Sequence, residues 1–155
     1  MTSAWDRVHA RYQLAADVLR AVARTGDGRQ AERWRNAIEE VFGDFGAFLV
    51  HLQRRWYTTL EARLDAALES SNGEADLPTL VARVGKQMEA ADPDTRIVLD
   101  EYADHPDLRA GEARHRRILG VTAGTAVRPD PPRRSAWAQW PRPRTPVGRV
   151  SVPDR

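Results

Sequence analysis

Residues 43–69 carry the longest uninterrupted helical pattern in the chain, and they constrain the fold more than any other stretch. Phe45, Phe48, Leu49, Leu52, Trp56, Leu60 and Leu64 recur three or four apart, which stacks them on one face of an α-helix about 40 Å long. A face of that length must be covered by other helices. The chain supplies about five shorter amphipathic segments that can do so.

The first of these runs from Ala4 to Arg24, with Ser3 as N-cap and Asp6 at the third helical position, because a hydroxyl there accepts an otherwise unpaired backbone N–H. Trp5, Val8, Tyr12, Ala15, Leu19 and Val22 form a seam of the kind found in helical bundles. Thr25-Gly-Asp-Gly28 ends it as a turn. A second helix is expected over Arg29–Phe42, with Ala31, Trp34 and Ile38 inward. Gly43 then acts as a C-terminal cap and Asp44 as the N-cap of the long helix, which favours a break over one kinked helix from 29 to 69.

Ser70-Ser-Asn-Gly-Glu74 closes the long helix with turn chemistry. Asp76 with Pro78, Asp92 with Pro93, and His105 with Pro106 each start a further helix, since proline loses nothing in a first turn. The last of these runs to Ala123, with Leu108, Gly111, His115, Ile118, Leu119 and Thr122 inward. Gly111 there permits close approach of a neighbouring helix. No useful length of chain shows strand-like alternation, so the expected fold is all-α: a compact bundle of five to six helices around the central one, spanning residues 1–124.

From Thr125 the composition changes. Seven of the ten prolines lie there, and the charge is 7 Arg against 2 Asp, whereas residues 1–124 carry 17 Lys+Arg against 20 Asp+Glu. Arg, Pro and Ser in such proportion bury too little apolar surface to offset the entropy of ordering, so 125–155 reads as a disordered basic tail. Trp137 and Trp140 sit in it among Arg133, Arg134, Arg142 and Arg144. Exposed aromatic rings among arginines can stack on unpaired bases, or serve as a proline-stiffened peptide motif for a protein groove.

Cysteine is absent, which excludes disulfides and thiolate metal sites. No apolar run approaches the roughly 18 residues of a membrane span, and the N-terminus lacks the core of a signal peptide, so a cytoplasmic location and no membrane partner are expected. Phosphate-binding glycine loops, dinucleotide fingerprints and nucleophilic triads are missing, and no cofactor is expected.

Two constellations could carry chemistry. Glu112-Ala-Arg-His115, with the weaker Asp6-Arg-Val-His9, has the Glu-x-x-His spacing used by bundles that hold two metals. Glu61, Asp65 and Glu69 lie largely off the apolar face of the long helix, and His51 stands about 100° from its centre, so the ligands do not converge and no metal is expected. The second is Arg109 and His115, separated by five residues. This spacing resembles the Arg-x(4 to 6)-His motif of the HEPN superfamily of helical nucleases and nucleotide-binding proteins. The resemblance covers one helix, with Ala110 where the family usually has a polar residue. It implies His115 as general acid or base and Arg109 as a phosphate-binding group.

The sequence therefore favours a non-enzymatic helical protein acting through contact with a protein partner, with Trp137, Trp140, Arg133, Arg134, Arg142 and Arg144 as binding residues of the tail; a homodimer is one form of such contact. The alternatives are a HEPN-like ribonuclease or nucleotide-binding protein using Arg109 and His115, and a nucleic-acid binder working through the basic tail.

Overall fold

The computed structural model describes residues 3–72 and 76–122, with side chains as far as 118. The tail, including the six residues named in it, lies outside the described residues. Among those described there are six α-helices and no strand: α1 (Ala4–Thr25), a 3₁₀ segment (Gly28–Trp34), α2 (Arg35–Phe42), α3 (Phe45–Ser70), α4 (Leu77–Ala91), α5 (Pro93–Glu101) and α6 (Pro106–Thr122).

The helix starts follow local chemistry. Ser3 and Asp6 form a reciprocal capping box, each side chain accepting from the other residue's backbone N–H. Asp44 accepts the Ala47 N–H at 2.7 Å, and Asp76 and Asp92 do the same for Thr79 and Thr95. The break between α2 and α3 falls at Gly43, whose φ of 97° is open to glycine and strained for other residues.

Every apolar residue expected on α3 is buried: Phe45, Phe48, Leu49, Leu52, Trp56, Leu60 and Leu64 are 0–7% exposed. Val18 and Val22 of α1, Ile38 of α2, Val84 and Met88 of α4, Val98 of α5 and Leu108 of α6 complete this single core. α6 packs more extensively on α3 than on any other helix. The two run in the same direction, for Gln53 meets Leu108, Tyr57 meets Glu112 and Glu61 meets His115.

Three expectations are corrected. Residues 28–34 are not the start of a continuous α-helix. Gly28, Ala31 and Trp34 recur every third residue, and a helix of three residues per turn stacks all three on the side turned to the body. Trp5, Val8 and Tyr12 are not core: they are 75%, 46% and 53% exposed, and every residue from Ser3 to Gln13 is exposed. α1 is long enough for a bundle seam, but the body covers it only from Leu14 onward. Ile118 is likewise 41% exposed, three residues beyond the point where His115 meets α3.

Leu52→Ala should lower unfolding free energy by about 2–5 kcal/mol, the cost of a cavity in a close-packed core. Trp5→Ala should change it by no more than about 0.5 kcal/mol, as expected of an exposed position. Chemical denaturation followed by circular dichroism separates the two.

Candidate functional site

The described residues gather polar chemistry in one place, the seam between α3 and α6. Gly111 makes the seam close. A Cβ built there would lie 2.0 Å from the Gln53 Oε1, so any larger residue must displace the buried Gln53 amide, which donates to the Leu108 carbonyl at 3.0 Å. One turn further along α3, the buried Tyr57 hydroxyl donates to Glu112 Oε2 at 2.6 Å. His115 stacks flat on the Tyr57 ring, with centroids 3.5 Å apart and planes 11° apart, and its Nδ1 lies 3.4 Å from Glu61 Oε1.

Burial sets the electrostatics of this seam. It raises the Tyr57 hydroxyl far above the usual phenol range, and the Glu112 carboxylate adds to the effect. Burial also depresses the His115 imidazole, although Glu61 and Glu112 pull it the other way. Tyr57 is thus fixed as a donor at neutral pH, and His115 is held towards its neutral form, whose ring packs without the cost of a buried charge. The arrangement can register one helix against another.

The residues singled out from sequence fall as follows. Arg109 and His115 share α6 but lie about 120° apart around it. Arg109 is 61% exposed and pairs with Asp104 at 3.6 Å, while His115 turns inward to Tyr57. His51 is half-buried between Tyr12 and Phe42, with ring centroids 5.6 and 5.2 Å away. Its imidazole is also depressed, first by burial and then by Arg55 and Arg11. Among the described residues, no group of three or more His, Asp or Glu side chains could hold a metal ion.

Two features escaped the sequence reading. Gln53 and Tyr57 sit at the margin of the α3 apolar face, and only their contact with α6 shows that they are buried. Arg96 is buried as well, placed over the Trp56 ring at 5.5 Å and paired with Asp100.

Outside the seam, two surfaces stand out. The first is the apolar stripe Trp5, Val8 and Tyr12 on α1, with spacing i, i+3, i+7, where the Trp5 and His9 rings stack at 6.4 Å. The second is an open groove of about 840 Å³ between α3 and α4, flanked by Arg63 and Arg83. Comparison of the chain with protein-family models, with curated proteins and with solved structures gives no match.

Tyr57→Phe removes the hydroxyl that donates to Glu112 and should cost about 1.5–3 kcal/mol, the usual worth of a hydrogen bond to a charged group. Tyr57→Phe combined with Glu112→Leu should recover part of that loss, measured as a coupling energy in a double-mutant cycle. The folded His51 and His115 bind a proton less readily than at their ordinary value of 6.5. Their contribution to stability is therefore full above that value and falls as pH drops through it. Between pH 7 and 5.5 the His51→Phe/His115→Phe variant should lose less stability than the unaltered protein.

Proposed function

We propose that this protein acts in the cytoplasm through protein contact, not catalysis, and that the first three turns of α1 are its principal contact element. The observation that carries this is the exposure of Trp5, Val8 and Tyr12 along one stripe of a capped helix. Large apolar side chains grouped on a surface mark interaction sites. Tryptophan and tyrosine are the residues that dominate binding energy at protein interfaces. Anchors at i, i+3 and i+7 are the spacing by which an amphipathic helix enters an apolar groove.

The area involved favours a different protein over a second copy of this chain. Two aromatic side chains and a valine cover on the order of 400 Å² when fully buried. Self-pairing would bury about twice that, short of the roughly 1,200 Å² of a stable interface. A groove that wraps the helix also covers its flanks and reaches the required area. The partner is therefore a protein with an apolar groove. The Arg- and Pro-rich sequence from Thr125, with Trp137 and Trp140, supplies a second element of linear-motif type. No helix among the described residues is long and apolar enough to cross a membrane.

A photo-crosslinking residue at Val8, with another at Glu69 as control, tests this reading in extract of the producing cells. The expected result is a defined adduct from position 8 only, competed by excess unaltered protein and not by the Trp5→Ala variant, which keeps its melting temperature. An adduct only with a second copy of this chain, or the same adducts from both positions, would overturn it.

A further inference from the structure

The outward face of α6 has a chemistry that neither the polar seam nor the α1 stripe uses. At 100° per residue, Arg109, Ala110, Ala113, Arg114 and Arg117 fall within an arc of about 140° on the side opposite Leu108, Gly111 and His115. All five are exposed. Arg116 flanks the arc, half-buried, close enough to influence the Tyr57 hydroxyl. Arg117 Nε donates to the Ala113 carbonyl at 3.4 Å, and Arg109 has one long exposed contact with Asp104 at 3.6 Å, so neither guanidinium is tied to a close carboxylate. The arc thus carries three arginines with alanines between them and no acid of its own.

From these observations we infer that the outer face of α6 is a sequence-independent binding surface for the phosphate backbone of a nucleic acid. Guanidinium groups bind phosphate oxygens through paired N–H donors, which a solvated lysine does less well. Alanine at 110 and 113 leaves no bulky side chain to hold a backbone away. Among the described side chains the arc itself holds only arginine and alanine, with Ile118 exposed beside it, so its chemistry matches phosphate better than an apolar groove.

Charge distribution points the same way. Residues 1–124 hold 17 Lys+Arg against 20 Asp+Glu, so a polyanion is repelled by the body in general and drawn to this arc in particular. The chain then continues from α6 into a sequence with 7 Arg and 2 Asp, where Trp137 and Trp140 can stack on unpaired bases.

The test uses the full-length protein and fluorescein-labelled oligonucleotides of about 20 nucleotides, one single-stranded polythymidine and one duplex, followed by anisotropy across a salt series. Affinity should fall with salt, with a slope of about 0.7–0.9 per phosphate neutralised. Arg114→Ala/Arg117→Ala should weaken binding at least tenfold at low salt and reduce the slope by about 1.4–1.8. Arg63→Ala/Arg83→Ala removes the same charge elsewhere and should change binding less than twofold. Tighter binding to the single strand assigns a larger share to base stacking, and equal binding assigns it to phosphate alone; both support the surface. The inference is overturned if neither oligonucleotide binds, if binding ignores salt, if the Arg63/Arg83 variant weakens it equally, or if only phosphatidylserine vesicles bind. Trp5→Ala/Tyr12→Ala should bind as the unaltered protein does, which keeps this result separate from the α1 contact.

Discussion

The structure depends on the length of one apolar arc. α3 spans 26 residues, and its buried positions run from Phe45 to Leu64. No neighbouring helix has both the length and the apolar face to cover it. Coverage is therefore shared: α2 and α5 lie against its first half, α4 packs as the returning arm of a hairpin, and α6 runs alongside. Short helices need their own starts, and aspartate caps supply them at α4 and α5, as at α3 itself.

Where α6 meets α3, dispersion alone does not fix the register. Only Leu108 gives α6 a fully buried apolar side chain among the described residues. Close approach at Gly111 and three directed contacts, at Gln53, Tyr57 and His115, take its place. Hydrogen bonds and stacked rings tolerate little sliding, whereas an aliphatic seam can slip by a turn at modest cost. The polar character of this seam is the counterpart of its small apolar area.

Much of this architecture was legible because it is local. The α3 face, the Gly43-Asp44 break, the Ser3 cap and the inward Gly111 all follow from spacing and from residue types that act on their own backbone. What was hidden depends on distant partners. Tyr57 and Glu112 are 55 residues apart in sequence, and nothing at either position announces the other. The α1 seam failed for a related reason: its periodicity from Trp5 to Val22 is regular throughout, but periodicity cannot say where the neighbouring helices stop. Gly28, Ala31 and Trp34 carried a visible three-residue period that the longer pattern around them obscured. Arg109 and His115 are near in sequence and far apart around the helix, so their spacing alone said little about a shared site.

The parallel course of α3 and α6 has a consequence for how the molecule is assembled. Antiparallel helices joined by a short turn can zip together as soon as both exist. A parallel pair cannot, since the chain must first travel back along the bundle through α4 and α5 before α6 can begin. Contacts such as Gln53 with Leu108 close loops of 55 residues, whose entropic cost favours earlier ordering of the segments between. α6 is therefore a late arrival, held by a few directed contacts, and its docking reports that the helices before it are already in place.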